Sequence, residues 1–182
     1  MGTVTTVIGG ARSGKTAWAE REALSRHDKT GAPLIYLASG VAFDQEMKQR
    51  ITRHQKDRQN QHWLTIEQPV NLTGAIAKCP VGAIVVWDCV TTWLTNELMQ
   101  KTEKSRMLHD LTMFLRTVRM HADLYIISNE VLSEPVFIEG FTAAYQQLIG
   151  EVHQVLVKES NHAIEMEAGL ALVRKGGAAD DS

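Results

Sequence analysis

The apolar positions of this chain form short runs separated by longer amphipathic stretches. Two of the runs, Ile84-Val85-Val86-Trp87 and Leu124-Tyr125-Ile126-Ile127, are apolar without alternation, which is typical of strands covered on both faces. These two runs are part of a set of four predicted strands and a fifth, weaker candidate. The predicted strands span residues 4–8, 33–38, 83–87, 122–128 and 163–173.

Helix-type periodicity fills the segments between these strands. Helices are predicted over residues 16–25, 44–58, 92–101, 105–121 and 140–159. Regular alternation of strands and helices favours an α/β fold with a mostly parallel sheet and helices on both faces. Because no repeat or linker interrupts the pattern, we expect one domain over residues 1–175, followed by a frayed tail at 176–182.

The segment after the first predicted strand carries the strongest chemical signal. Gly9, Gly14, Lys15 and Thr16 match the phosphate-binding pattern G-x-x-x-x-G-K-[ST], the P-loop. In such a loop, backbone N–H groups and the start of the next helix bind phosphate. Lys15 would contact the β- and γ-phosphates, and Thr16 would offer its hydroxyl to Mg²⁺. A glycine-rich turn without a ligand is the alternative, but the flanking strand and helix favour a nucleoside triphosphate site.

Asp88 follows the predicted strand 83–87 directly. P-loop proteins hold Mg²⁺ with a carboxylate at such a strand end. An aspartate there can also be a turn residue or a helix N-cap. Given the P-loop, a metal or nucleotide role is favoured. The neighbouring Cys89 is predicted to be a small buried residue and not a nucleophile, because its surroundings are apolar.

The predicted helix 44–58 begins with acidic residues and ends in a basic half. Helical spacing places Arg50, His54 and Arg58 on one stripe. A solvated surface helix explains this pattern. So does a phosphate-directed nucleophile, because neighbouring cations collect a triphosphate and lower the pKa of a histidine. Spacing and charge alone leave both interpretations open.

Composition narrows the function classes further. The chain has 182 residues and a formal net charge of −2, which favours neither nucleic acid nor acidic membranes as partners. No apolar run is long enough to cross a bilayer, and the first residues lack signal-peptide regions, so we expect a cytoplasmic protein. The other histidines lack metal-ligand spacing and are predicted to be scattered on the surface. They are His27, His62, His109, His121, His153 and His162.

Several segments together resemble one enzyme family, in the same order along nearly the whole chain. They are Gly9-Gly10-Ala11-Arg12-Ser13-Gly14-Lys15-Thr16, Tyr36-Leu37-Ala38-Ser39, Glu46-Met47, Arg50-Ile51, His54, Arg58, Trp63-Leu64-Thr65-Ile66-Glu67, Asp88-Cys89-Val90-Thr91-Thr92-Trp93-Leu94-Thr95-Asn96 and Ser128-Asn129-Glu130-Val131. The family they resemble is the bifunctional adenosylcobinamide kinase/adenosylcobinamide-phosphate guanylyltransferase of cobalamin biosynthesis.

The resemblance implies a P-loop NTPase fold with a RecA-like core and a homo-oligomer, typically a trimer. It also implies two activities. A nucleoside triphosphate, ATP or GTP, phosphorylates the aminopropanol hydroxyl of adenosylcobinamide. GTP then donates GMP to adenosylcobinamide phosphate through a guanylyl-histidine, which yields adenosylcobinamide-GDP and pyrophosphate.

Residue by residue, the resemblance makes His54 the guanylylated histidine, and Lys15 is the second predicted catalytic residue. Thr16 and Asp88 are the predicted Mg²⁺ ligands. The predicted nucleotide-binding residues are Gly9, Gly10, Ala11, Arg12, Ser13, Gly14, Lys15, Thr16, Ala38, Ser39, Gly40, Gln55, Lys56, Asp57, Arg58, Glu67 and Asp88.

Departures from the family pattern begin after Val131. Leu132 and Glu134 replace two glycines, Gln146 and Gln147 replace an Arg-Asp pair, and His153 replaces an Asn. Glu165 and Glu167 stand where apolar residues are usual, which suggests an exposed edge or an altered subunit contact.

These departures keep an alternative open, namely a P-loop small-molecule kinase or nucleotidyltransferase with a non-corrinoid acceptor. A scaffold that binds GTP without chemistry is disfavoured, because Lys15, His54 and Asp88 are all present.

Overall fold

The computed structural model describes residues 1–40, 63–130 and 142–177. The predicted helix 44–58 therefore lies outside the described residues, as do Leu132 and Glu134. The described elements, in chain order, are β1 (Val4–Gly9), α1 (Lys15–Thr30), β2 (Leu34–Ala38), β3 (Trp63–Glu67), α2 (Thr73–Ile76), β4 (Ile84–Asp88), α3 (Val90–Met99), α4 (Lys104–His121), β5 (Asp123–Asn129), α5 (Thr142–Glu159), β6 (His162–Glu167) and β7 (Leu170–Lys175).

The seven strands form one sheet in the order β3-β2-β4-β5-β1-β6-β7. All neighbouring pairs are parallel except β6 and β7, which are antiparallel. One face packs on α1 through Ala19 and Ala23. The other face is covered by α3, α4 and α5, whose apolar residues form the larger core. The predicted mostly parallel sheet with helices on both faces is confirmed.

Four of the predicted strands are present with boundaries shifted by at most one residue, and the fifth prediction is wrong in detail. Residues 163–173 form a hairpin of β6 and β7 and not one strand. The turn is Ala168-Gly169, with φ angles of 49° and 83°. Positive φ at both turn residues suits a two-residue hairpin. Consequently, β6 is paired on both sides, and the edge that Glu165 and Glu167 suggested belongs to β7.

Strand β3 is an additional element at the opposite edge of the sheet. Among the described strands it pairs only with β2, and its Leu64 side chain is exposed. This short, half-exposed strand carries little apolar periodicity, so the pattern of hydrophobic positions did not predict it.

A glycine ends helix α1. Helix α1 continues to Thr30, beyond the predicted end, and Gly31 then adopts a left-handed φ of 69° and donates its N–H to the His27 carbonyl. Such a glycine C-cap satisfies a carbonyl that the helix leaves unpaired. Within the described ranges, no helix combines the length and apolar character needed to span a membrane.

Candidate nucleotide and metal site

The P-loop connects β1 to α1 at the carboxyl edge of the sheet. Gly9 is the last residue of β1, and Lys15 is the first residue of α1. The Lys15 side chain is 8% exposed, and its Nζ donates a 2.8 Å hydrogen bond to the Gly10 carbonyl oxygen. The ammonium group thus lies folded over the loop, at the position from which a P-loop lysine reaches phosphate oxygens.

Two glycines of the motif have distinct steric roles. A Cβ on Gly9 would lie 2.5 Å from the Met166 carbonyl oxygen and 2.6 Å from Ser13 Oγ, so β1 could not end so close to β6. Gly14 has a φ of 88°, which residues with a side chain rarely adopt. The loop's curvature therefore depends on glycine at both positions.

The turn between β6 and β7 supports the P-loop from behind. The Gly169 N–H donates a 3.1 Å hydrogen bond to the Ser13 carbonyl oxygen. The Ser13 N–H donates to the Gly10 carbonyl oxygen at 3.3 Å. Ser13 Oγ is buried and has no hydrogen-bond partner among the residues that the structure covers. Two segments that are far apart in sequence, the P-loop and the β6–β7 turn, are therefore joined here.

Three of the predicted site residues form one row across the sheet. Ala38, at the end of β2, is in register with Glu67 of β3 and with Asp88 of β4. Neighbouring strands lie about 4.8 Å apart, and in-register residues of parallel strands face the same side. This side is the α1 face, on which the P-loop helix begins. Parallel register therefore brings Glu67 and Asp88 to the edge where phosphates would bind.

Asp88 is joined to the P-loop helix and to a neighbouring strand. Thr16 Oγ1 donates to Asp88 Oδ2 at 3.5 Å, the outer limit of a hydrogen bond. The Tyr36 phenol donates to the same Oδ2 at 2.5 Å. Thr16 and Asp88, predicted as a metal pair, are therefore brought together.

The donor set at Thr16 and Asp88 suits Mg²⁺. A hydroxyl and a carboxylate converge there, and Mg²⁺ prefers oxygen ligands. In the described part of the chain, no group of three or more His, Cys, Asp and Glu could hold a metal ion. Mg²⁺ needs no such cage, because it keeps waters and takes its remaining ligands from substrate phosphates.

Ser39 contributes to the core through its side chain. The residue is fully buried, and its Oγ accepts a 2.7 Å hydrogen bond from Trp87 Nε1. Its carbonyl oxygen accepts the Asn96 side-chain amide at 2.9 Å. The hydroxyl therefore points to the face opposite α1, away from Asp88, whereas Ala38 and Gly40 on either side are partly exposed.

A buried polar cluster lies behind Asp88, where β4 leads into α3. Asn129 Nδ2 donates to Thr91 Oγ1 at 2.9 Å, and Cys89 Sγ lies 3.1 Å from both Thr91 Oγ1 and Thr92 Oγ1. Cys89 is buried as predicted, and burial raises the pKa of its thiol, with the Asp88 charge acting in the same direction. A thiol held protonated in this way is a poor nucleophile.

The prediction of scattered surface histidines is wrong for His153. This residue of α5 faces the sheet, and its Nε2 lies 2.8 Å from Ser128 Oγ on β5. Burial lowers the pKa of His153 to about 4. The available signal was helical spacing, because Ile149 and Leu156, four residues before and three after, are both buried.

The remaining predicted site residues are either exposed or outside the described part of the chain. Ala11, Arg12 and Gly14 are exposed on the loop, and Glu67 is exposed at the end of β3. His54 lies outside the described residues, together with Gln55, Lys56, Asp57 and Arg58.

A mostly parallel sheet, a glycine-dependent phosphate loop and a strand-end carboxylate beside the loop's threonine define a P-loop NTPase. Solved structures agree on the fold. The chain is similar to a KaiC-like protein from Pyrococcus horikoshii, with a TM-score of 0.56 and 11% identity over 97% of this chain and 80% of that one. It is also similar to the flagellar accessory protein FlaH from Methanocaldococcus jannaschii, with a TM-score of 0.55 and 12% identity over 96% and 78%.

Within this class, the chain belongs to the cobinamide kinase / cobinamide phosphate guanyltransferase family, whose model matches residues 5–173. A curated relative, the bifunctional adenosylcobalamin biosynthesis protein CobP of Pseudomonas aeruginosa, is 30% identical over 93% of this chain and 96% of its own length. The bifunctional protein CobU of Escherichia coli is 28% identical over 91% and 96%. The resemblance found in the motifs is thus confirmed across nearly the whole chain.

Proposed function

We propose that this protein phosphorylates adenosylcobinamide with a nucleoside triphosphate and then transfers GMP from GTP to adenosylcobinamide phosphate. The observation that carries the proposal is the family match over residues 5–173. The described geometry supports it, because Lys15, Thr16 and Asp88 converge at one edge of the sheet. The product of the second reaction is adenosylcobinamide-GDP.

In the first reaction, the acceptor hydroxyl gives up its proton to solvent, and its oxygen forms a bond to the γ-phosphorus of the triphosphate. The bond from that phosphorus to the β–γ bridging oxygen breaks, and a nucleoside diphosphate leaves. Lys15 and the backbone N–H groups of Gly9 to Thr16 bind the phosphates and offset their charge, which accounts for most of the catalysis in such transfers. Mg²⁺, held by Thr16 and Asp88, would neutralise charge on the β- and γ-oxygens.

In the second reaction, a ring nitrogen of His54 attacks the α-phosphorus of GTP, and pyrophosphate leaves. A phosphate oxygen of adenosylcobinamide phosphate then displaces the histidine from that phosphorus. Arg50 and Arg58 share the predicted helix stripe with His54, where they would gather the triphosphate. The nucleotide contacts that we propose for Gln55, Lys56, Asp57 and Glu67 belong to this reaction.

Finer features complete the proposal. We propose a homo-oligomer, a trimer by family resemblance, that acts in the cytoplasm without nucleic-acid partners. Both described cysteines are free thiols, which fits a reducing compartment. ATP and GTP are the proposed donors for the kinase reaction.

The experiment that tests the chemistry is labelling with GTP that carries a radioactive α-phosphate, followed by denaturing electrophoresis. We expect an acid-labile, base-stable label on the wild-type protein and none on His54→Ala. His109→Ala is the matched control, because His109 is exposed on α4, which covers the sheet face opposite α1. Label on His54→Ala equal to that of the wild type would overturn the assignment of the nucleophile.

Adding adenosylcobinamide phosphate to the labelled protein then tests the acceptor. Transfer of the label to the corrinoid supports the proposed function. A label that persists through this addition would favour the alternative enzyme with a non-corrinoid acceptor. Gln146 and Gln147, two of the departures from the family pattern, are exposed on α5, and Gln147 Nε2 donates to Glu151 Oε1 at 3.5 Å.

A further inference from the structure

Two tyrosines flank the strand that ends in Asp88. Tyr36 of β2 and Tyr125 of β5 are both in register with Val86 of β4, so they occupy the same row, two residues before Asp88. Both rings lie on the α1 face. Their phenol groups differ, however. Tyr36 donates to Asp88 Oδ2 at 2.5 Å, whereas the Tyr125 ring packs edge-on against Trp18, with ring centres 6.5 Å apart.

The route from the Tyr36 ring to Asp88 is open because of the next residue on the same face of β2. That residue is Ala38, which is in register with Asp88 and has only a methyl group. Trp63 packs edge-to-face on the Tyr36 ring, with centres 6.2 Å apart and planes at 83°. Tyr36 is 6% exposed. Because the Tyr36 ring is buried and packs against Trp63, its phenol is a rigid donor.

The Tyr36 phenol fixes the orientation of the Asp88 carboxylate, and orientation matters for a metal ligand. It engages Oδ2, while Oδ1 of Asp88 accepts no hydrogen bond from the residues described here. A hydrogen bond to an ionised carboxylate is short and strong, and it holds the group in one rotamer. Partners behind a metal ligand orient it, and their loss typically weakens metal binding or activity by 10–100-fold, roughly.

We propose that Tyr36 is a positioning residue, whose phenol orients the Asp88 carboxylate toward the divalent cation of the bound triphosphate. The inference rests on the proposed metal role of Thr16 and Asp88 and names the residue that makes this pair effective. Tyr36 itself touches neither substrate nor cation in this assignment.

The test uses Mn²⁺ as the probe, in the presence of a saturating non-hydrolysable GTP analogue, with free Mn²⁺ measured by electron paramagnetic resonance. For Tyr36→Phe we expect Mn²⁺ affinity to fall by about tenfold or more. The phenylalanine ring keeps the contact with Trp63, and circular dichroism with thermal unfolding verifies the fold. Tyr125→Phe, which removes a phenol from the same row, is expected to bind Mn²⁺ like the wild type.

A double-mutant cycle with Asp88→Asn separates this inference from the function on which it rests. If Asp88→Asn leaves Mn²⁺ affinity unchanged, the proposed metal site is wrong. If Asp88→Asn weakens Mn²⁺ binding and a folded Tyr36→Phe does not, the metal site stands and the role of Tyr36 is wrong. We expect Tyr36→Phe to have no further effect in the Asp88→Asn background, because the carboxylate that it orients is gone. A full additional loss in that background would also overturn the positioning role.

Discussion

Ser39 and Trp87 are joined by a 2.7 Å hydrogen bond from the indole N–H to the serine hydroxyl, beneath the row of strand ends that carries Asp88. Removing the hydroxyl in Ser39→Ala leaves a buried indole N–H without its acceptor. We expect a loss of about 1–3 kcal/mol in the free energy of unfolding, measured in urea.

The same substitution separates two roles for Ser39. Because its hydroxyl faces the core and not Asp88, the KM for GTP should stay within about twofold of the wild type. Ser25→Ala, on the exposed side of α1, is the matched control and should change stability by less than about 0.5 kcal/mol. A large rise in KM without a loss of stability would mean that the Ser39 side chain binds nucleotide.

Substitution by alanine is expected to have opposite effects at Gly9 and at Gly150. Gly9→Ala would place a Cβ 2.5 Å from the Met166 carbonyl oxygen, so β1 or β6 must shift and the phosphate loop with it. We expect lower stability and weaker binding of a GTP analogue, measured by thermal unfolding and calorimetric titration.

Gly150→Ala meets nothing within 4 Å and lies inside α5. Alanine is favoured over glycine in a helix by about 1 kcal/mol, so this variant should be more stable than the wild type. Its nucleotide affinity should be unchanged. Equal behaviour of the two variants would contradict the steric account of the phosphate loop.

His153 predicts a dependence of stability on pH. Burial lowers its pKa in the folded protein to about 4, from the ordinary value of 6.5. As the pH falls through 6.5, the unfolded chain takes up this proton, and the folded protein does not until about pH 4. The unfolding free energy therefore decreases as the pH falls across this window, by about 3 kcal/mol for this group.

The measurement is urea unfolding at about pH 7 and about pH 4.5, for the wild type and for His153→Asn. Carboxylates contribute acid sensitivity to both proteins, so the informative quantity is the difference between them. The wild type should lose more stability on acidification than the variant. The same loss in both would show that His153 titrates alike in the folded and unfolded chains.

Lys15 predicts a defect shared by both proposed reactions. Lys15→Ala removes the ammonium group that folds over the loop, and with it the charge that would meet the triphosphate. We expect kcat/KM for both transfers to fall by roughly 10²–10³-fold. Lys29→Ala, exposed in the last turn of α1, is the control. Unchanged kinetics in Lys15→Ala would contradict the assignment of the P-loop.

The sequence predicted the features that depend on local pattern. The run Ile84-Val85-Val86-Trp87 predicted a doubly covered strand, and the spacing of Gly9, Gly14, Lys15 and Thr16 predicted the phosphate loop. Both signals are complete within a few neighbouring residues, and the structure keeps both.

Features that depend on the register between strands could not be predicted from the sequence. The bond from Tyr36 to Asp88 requires β2 and β4 to align Ala38 with Asp88, and no local pattern specifies that pairing. The β6–β7 hairpin was missed because Ala168 adopts the left-handed conformation that a turn prediction assigns to Gly, Asn or Asp. Helical spacing indicated that His153 is buried, but its hydrogen-bond partner Ser128 could not be predicted because it lies on another element.

The support of the P-loop by the β6–β7 turn has a consequence for synthesis on the ribosome. The strand that leads into the loop is made early, yet both of its sheet partners, β5 and β6, follow more than a hundred residues later. The backbone N–H that holds the Ser13 carbonyl belongs to Gly169. A nascent chain therefore gains this support of its phosphate loop only after the hairpin has emerged, so we expect nucleotide at the proposed site to stabilise chains that include the hairpin more than shorter ones.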